Sequence, residues 1–491
     1  MGFGFHIENF GCRAARADGE AIGARLLSSG HSVQQPSEAE VVVINTCTVT
    51  AEADRQARAF IRRANRINPA AKIVVTGCYA QRASAELAAI NGVAAVVGNS
   101  HKALVSDIVV ELAHRHRPHA PAMGSFVSVE SLLAIARQNS TQPNMAPQWA
   151  DDRFAHSFIE ETQLVAGTQT RPNLKIQEGC GNRCTFCVIP FTRGPSKSLP
   201  HAAVLRQVEG FIAAGGNELV LSGINLGRWG RELTEEDSLP ALVRFILTHT
   251  TLPRLRLSSI EPMDWTDELI GLMGEFAGPD AHEPRLARHA HLPLQSGSDA
   301  VLRRMHRRYR PWHYAAKVEA LLRAAGPELT LGADVMAGFP GETEDEFEET
   351  VAFIRAMPFG YLHLFPFSPR PGTRGWDLHR AAPVAPDAVL ERMKTLRALA
   401  HEKSIAHRTK MIGHELPVIT LHTPAALAAR GATEALTDNF LPVELDGSFA
   451  ANLLLRVAVT GLTSEGALSA RPTWPVESAP ELSQRCAQDF C

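Results

Sequence analysis

Three cysteines fall within eight residues, in the run Cys180-Gly181-Asn182-Arg183-Cys184-Thr185-Phe186-Cys187. The order is Cys, three residues, Cys, two residues, Cys. Thiolates at this spacing can ligate three irons of a four-iron, four-sulfur cube and leave the fourth iron open. An open iron can bind a small molecule, so such a site supports chemistry as well as electron storage. Zinc sites usually pair thiols as two C-x-x-C knuckles or add histidines at fixed spacing, and no fourth Cys or His lies near this run. On spacing alone, zinc or three free thiols stands as the alternative.

Cys12, Cys47 and Cys78 are far apart in the chain but share one local setting. Each follows a short apolar run and precedes a helical stretch. In a parallel α/β sheet such strand ends lie along one edge, where ligands bind, so three thiols there could converge on one cluster. The plainer alternative is three small buried residues, because free Cys packs as a small hydrophobe.

The elements that must position these thiols follow from apolar periodicity. Residues 40–45, 72–76 and 94–98 read as short buried parallel strands, with a helix over 51–66, so residues 1–115 form a small α/β domain with a parallel sheet. Residues 116–170 are rich in His, Pro, Ser, Gln and Asn and read as a linker with one short helix over 129–137. Strands over 174–177, 218–222, 254–260, 289–294, 329–337 and 361–367 alternate with helices, which predicts a full or partial parallel barrel over 171–400. A helix over 386–410 follows. Short strands over 415–421, 437–445 and 453–460 predict a small β-barrel at 408–473. Residues 474–491, with Cys486 and Cys491, read as an unliganded tail.

Bulk properties exclude several classes. The 491 residues are 45% hydrophobic and 21% charged, which is ordinary for a globular protein of several domains. A net charge of -3 offers no global positive field, so any RNA contact must come from local basic patches. No stretch approaches the ~18 apolar residues of a membrane span, and residues 1–10 lack the pattern of a secretory signal. Eight cysteines in so long a chain do not suggest a disulfide scaffold, so a cytoplasmic location with reduced, metal-binding thiols is expected.

The C-x-x-x-C-x-x-C run after an apolar strand is the signature of radical S-adenosylmethionine (SAM) enzymes. Its flanks, Lys175-Ile176-Gln177-Glu178-Gly179 and Val188-Ile189-Pro190-Phe191-Thr192-Arg193-Gly194, closely resemble the same stretch of methylthiotransferases. So do Asn9-Phe10-Gly11-Cys12-Arg13, Asn45-Thr46-Cys47-Thr48-Val49-Thr50 and Thr76-Gly77-Cys78-Tyr79-Ala80-Gln81. The loop Leu436-Thr437-Asp438-Asn439-Phe440-Leu441-Pro442-Val443 is similar, more loosely, to the RNA-binding TRAM module that closes these enzymes. The resemblance implies a partial six-unit (β/α) barrel. It implies a [4Fe-4S] cluster on Cys180, Cys184 and Cys187, whose open iron binds SAM and cleaves it to a 5′-deoxyadenosyl radical. It also implies an auxiliary [4Fe-4S] cluster on Cys12, Cys47 and Cys78, where sulfur is bound and methylated before transfer. One cluster to make a radical and one to handle sulfur suit sulfur insertion into an unactivated C–H bond.

Among the remaining motifs, Gly215-Gly216-Asn217-Glu218 lies where such barrels keep a Gly-Gly-Glu turn, but Asn217 interrupts it and a plain tight turn is the preferred reading. The stretch 334–343 resembles a late barrel strand and loop near the adenine of SAM, and reads equally as a strand end with a capped helix. His291-Leu292-Pro293-Leu294-Gln295-Ser296-Gly297-Ser298 also matches the family, at a strand's carboxyl end. Arg55, Arg58, Arg62 and Arg66 read as a solvated helix face. Arg303, Arg304, Arg307, Arg308 and Arg310 around Tyr309 read as a contact for single-stranded RNA.

Three branches of the family differ in substrate: isopentenyladenosine in tRNA, a ribosomal-protein aspartate, and N6-threonylcarbamoyladenosine at tRNA position 37. The runs 45–50, 222–227 and 363–373 look most like the third. The expected partners are therefore a tRNA anticodon loop, a low-potential electron donor and a sulfur donor, with neither DNA nor a membrane. An iron–sulfur RNA-binding protein without catalysis is the alternative of another class, and a radical SAM enzyme of another specialty, whose cluster on Cys12, Cys47 and Cys78 only relays electrons, is a third.

Overall fold

Runs of β-branched residues bounded by Gly and polar turns make a parallel sheet buried on both faces. In the computed structural model, which describes residues 2–114, 145–154, 157, 159, 170–279, 281 and 283–473, this sheet forms the amino-terminal unit. Its strands are β1 (Gly4–Asn9), β2 (Ser32–Val33), β3 (Val41–Thr46), β4 (Lys72–Gly77), β5 (Val93–Gly98) and β6 (Gln148–Trp149), in the order β2-β1-β3-β4-β5-β6. Val41, Val43 and Val74 pack on one side with Ile22, Leu26 and Val109. Val42, Ile44, Ile73 and Val75 pack on the other with Ala57, Ile61 and Leu87. β6 falls in the stretch read from sequence as linker; it pairs in parallel with β5 and brings Trp149 into the core. Its two-residue length is too short to leave a periodic signal. The helix expected over 129–137 and the tail with Cys486 and Cys491 lie outside the described residues.

The central unit is a partial barrel. Its strands are β7 (Asn173–Glu178), β8 (Lys197–Ser198), β9 (Glu218–Gly223), β10 (Arg254–Leu257), β11 (His289–His291), β12 (Thr330–Ala337) and β13 (Phe359–Pro366). Two sheets, β10-β9-β7-β8 and β11-β12-β13, meet through the bridge Leu255–Leu286. All pairings are parallel except β7 with the short β8. Alternation decides what each face carries. Leu174, Ile176, Leu219, Leu221, Ala333 and Val335 face the surrounding helices in one large core. The opposite parity is polar: Lys175, Gln177, Glu218, Arg256, His291, Asp334 and His363. β10 and β11 end earlier than the apolar runs 254–260 and 289–294, and the surplus residues become the loops that line the barrel's carboxyl end.

Helix Pro386–Thr409 packs along β12 and β13 and leads into a closed barrel of β14 (Glu415–Thr420), β15 (Ala432–Thr437), β16 (Pro442–Asp446), β17 (Leu454–Leu462) and β18 (Leu468–Pro472). The single strand expected over 437–445 is instead two strands and a turn. Asp438, Asn439 and Phe440 break the ladder, Phe440 at φ +70°. What holds this turn is the central barrel. The Phe440 ring lies under the guanidinium groups of Arg171 and Arg256, at 5.7 and 5.3 Å from their carbons, and 4.7 Å from the His289 ring. Arg288 grips the Asp438 carboxylate with two hydrogen bonds of 2.6 and 3.0 Å. The turn thus plugs the amino-terminal end of the barrel strands, opposite the cysteine loop. Among the described residues no helix is long and apolar enough to cross a membrane.

Candidate functional site

The loop that carries Cys180, Cys184 and Cys187 leaves the carboxyl end of β7 and is clamped from both sides. Cys180 N donates to Gly194 O (3.1 Å), Thr185 N to Met305 O (3.1 Å), and Gly375 N to Thr185 O (2.6 Å). N–H groups converge on the sulfurs. Asn182 N lies 3.4 Å and Asn225 Nδ2 3.6 Å from Cys180 Sγ, and Arg307 Nη1 lies 3.3 Å from Cys184 Sγ. Donors around sulfur suit an anionic ligand. Desolvation pushes the Cys187 thiol up to about 12, and Cys184 and Cys180 add to that shift. Cys184 and Cys180 therefore lie close enough to Cys187 to oppose its ionisation, a cost that a metal core between them removes.

The second trio assembles at the carboxyl edge of the parallel sheet. Cys12 caps the start of helix Arg13–Ser28, Cys47 follows β3, and Cys78 opens helix Cys78–Arg82 after β4. Cys12 is exposed, and Cys47 and Cys78 are buried. Gly11 makes room for this: its φ is +106°, and a Cβ there would stand 2.4 Å from Cys47 Cβ and 2.7 Å from its Sγ. Burial pushes Cys47 up to about 12, and Cys78 and then Cys12 oppose its ionisation further. All six thiols are free of disulfides, and each set supplies three soft donors, which fits an iron–sulfur cube with one open iron.

One short helix joins the two sets. Helix Ile189–Arg193 begins two residues after Cys187 and ends on Arg193, whose Nε lies 3.2 Å from Cys78 Sγ. Asn99 Nδ2 makes a second link, to Cys78 Sγ (3.3 Å) and to Thr192 O (2.8 Å). Arg193 is fully buried and also binds Asp18 (2.9 Å) and Glu178 (2.5 Å). Lys102 and Lys175 bridge the same two carboxylates. These cations hold the Asp18 and Glu178 carboxyls below their usual range against the opposing effect of burial. Asp18 and Lys102 come from the amino-terminal unit, and Lys175, Glu178 and Arg193 from the barrel, so the ion cluster also locks the two units together.

A cleft of about 470 Å³ opens beside Cys184, lined among others by Asn182, Arg228, Glu261, Asp264, His306 and Arg307. It is large enough for a nucleoside-sized ligand. Here the structure corrects the reading of the second basic run. Tyr309 is buried and donates to the carbonyls of Pro293 and Leu294, so it offers no face for base stacking. Arg307 points inward and pairs with Glu261 (2.5 Å) as well as Cys184, while Arg304 pairs with Glu346 (2.5 Å) and Arg303 with Asp299 (2.8 Å). Sequence spacing cannot separate an arginine turned into a cleft from one turned to solvent. Trp312, two residues beyond Arg310, and Phe191, four residues beyond Cys187, are exposed.

The other motifs resolve simply. Gly215 (φ +79°) ends helix His201–Ala213 in a tight turn closed by Gly216 N to Phe211 O (3.0 Å). Glu218 is buried among Arg171, Arg254 and Arg256, near the plugged end and away from the cysteine loop. Thr343 caps helix Glu344–Ala356 in a capping box with Glu346. Arg370, within the run 363–373, reaches back to Thr48 Oγ1 (2.8 Å) and Asp54 beside Cys47.

Residues 4–98 match the family model described as Uncharacterized protein family UPF0004, and residues 174–354 match that of the Radical SAM superfamily. Over 446 residues, 90% of each chain, the protein is 33% identical to threonylcarbamoyladenosine tRNA methylthiotransferase MtaB of Bacillus subtilis. It is 31% identical over 456 residues to the Aquifex aeolicus protein of the same name, covering 92% of this chain and 99% of that one. A tRNA-2-methylthio-N(6)-dimethylallyladenosine synthase of a Parafrankia species is 32% identical over 422 residues, 85% of this chain and 78% of the relative. Relatives that span the cysteine-edged sheet, the partial barrel and most of the remaining chain leave one assignment: the protein belongs to the radical SAM methylthiotransferase family.

Proposed function

We propose that this protein adds a methylthio group to C2 of N6-threonylcarbamoyladenosine at position 37 of tRNA. The observation that carries the chemistry is the pairing of two three-thiol sets across helix Ile189–Arg193. The choice of substrate is supported by the runs 45–50, 222–227 and 363–373 and by the names of relatives that align over nine-tenths of the chain.

When bound, a [4Fe-4S] cluster on Cys180, Cys184 and Cys187 supplies one-electron cleavage of SAM, and a second on Cys12, Cys47 and Cys78 supplies a place for sulfur. The protein's own residues do the positioning. Arg307, fixed by Glu261 and Tyr309, and Asn225, whose N–H is held by Gln177 Oε1 (2.7 Å), set the sulfurs of Cys184 and Cys180. Arg193 and Asn99 set Cys78 and the distance between the two thiol sets. The cleft beside Cys184 receives the adenosine, with Trp312 and Phe191 as stacking faces for anticodon-loop bases. The barrel at 408–473 acts as the RNA-binding module, and a low-potential reductant and a sulfur donor in the cytoplasm complete the cycle. Burial of the substrate excludes water and oxygen from the reacting atoms.

Mass spectrometry of tRNA nucleosides from cells with and without the protein tests this. Deletion is expected to convert 2-methylthio-N6-threonylcarbamoyladenosine to its unthiolated parent. Loss of the methylthio group from isopentenyladenosine instead would move the substrate to the other tRNA branch, to which the Parafrankia relative's name points.

A further inference from the structure

Midway along the barrel, between the Phe440 plug and the cysteine loop, three side chains on neighbouring strands converge: His291 at the end of β11, Asp334 in β12 and His363 in β13. Asp334 and His363 stand opposite each other in the strand register. One ligand atom from each of the three lies within 4.8 Å of the others. His291 Nε2 is 3.4 Å and His363 Nδ1 3.3 Å from the same Asp334 Oδ1.

We propose that this trio is a binding site for a divalent first-row transition cation, separate from both cysteine sets. Two donors each about 2.1 Å from a tetrahedral ion stand about 3.4 Å from one another, which is the spacing on two edges here. Two imidazoles and one carboxylate form a borderline-hard set suited to Zn²⁺, Fe²⁺ or Mn²⁺ rather than to a cluster, and three protein ligands leave positions open.

A second observation points the same way. The His291 side chain is more than nine-tenths buried, yet its Nε2 has no hydrogen-bond partner. The nitrogen is 3.4 Å from the carboxylate without forming a hydrogen bond to it, as expected when lone pairs aim at a common point rather than at each other. His291 Nδ1 meets Ser259 Oγ at 2.9 Å, the outer contact that fixes the tautomer of a metal-bound imidazole. The Tyr361 ring, 5.9 Å away and tilted by 15°, backs the His291 ring. His363 is exposed and Asp334 partly so, so water or an oxygen donor of a bound ligand can complete the coordination.

The test counts metal directly and does not depend on tRNA activity. Cluster-loaded wild-type protein, kept anaerobic so that the cysteines stay occupied, is dialysed against Zn²⁺ and assayed for zinc and iron by plasma mass spectrometry. A single zinc per chain above the iron is expected. His363→Ala, a change at an exposed position that leaves the core intact, and Asp334→Asn should bring zinc to background with iron unchanged. Ser259→Ala should weaken zinc binding about 10- to 100-fold. No zinc in the wild type, or equal zinc in wild type and His363→Ala, would overturn the site and leave two histidines flanking a carboxylate.

Discussion

Arg193 is the residue on which the two halves of the site meet, since it touches Cys78 from the end of the helix that starts beside Cys187. The six cysteines stand out in the sequence by spacing and strand-end placement, and the resemblance to methylthiotransferases is what gives them a cluster reading. Arg193, Asn99 and Asn225 do not stand out, because a polar side chain shows its sulfur partner only once the chain is folded. Arg307 is visible in the sequence but reads there as an RNA contact, for the same reason. The division of labour predicts two different failures. Cys184→Ala should abolish formation of 5′-deoxyadenosine from SAM under anaerobic reduction; turnover at the wild-type rate would remove the radical role of that trio. Cys47→Ala should still cleave SAM yet install no sulfur, as read by nucleoside mass spectrometry, and normal methylthiolation would remove the second trio from the reaction.

At the scale of elements, apolar runs located the strands of the sheet and the barrel, because burial leaves a strong pattern. They failed where a tertiary contact overrides it. Thr437 to Leu445 reads as one strand, but the barrel's arginines hold Phe440 in a left-handed turn inside it. Phe440→Ala should therefore cost about 2–3 kcal/mol, from lost burial and cation–π contact, seen as a lower denaturant midpoint; an unchanged midpoint would mean the plug does not hold the C-terminal barrel. Helix Pro386–Thr409 carries a second dependence. Burial pushes the His407 imidazole down from 6.5 to about 4, Lys410 and Arg408 adding to this, while Thr330 Oγ1 meets it at 2.8 Å. The unfolded chain then takes up this proton first, so the stabilisation is whole above the unfolded value and fades as pH falls toward the folded one. Between pH 7 and pH 5 the loss due to His407 is about 2 kcal/mol. His407→Gln should flatten the stability–pH curve by that amount in urea titrations, and identical slopes would contradict it.

Across the whole molecule, the amino-terminal sheet and the barrel are pinned by buried ion pairs of opposite origin, Lys102 and Asp18 against Lys175, Glu178 and Arg193 on one side, and Asp54 against Arg370 on the other. Local pattern could not reveal this docking, because each partner lies in a different element, up to 316 residues away along the chain. Its consequence is that two thiol sets face one short helix at a fixed separation, each incomplete by one ligand. Everything in the proposed chemistry depends on both sets holding a cluster at once. Iron and sulfide counting after anaerobic reconstitution tests that most directly. The wild-type chain should hold about eight irons, and a Cys12, Cys47 and Cys78 triple alanine variant about four. About four irons in the wild type would contradict it.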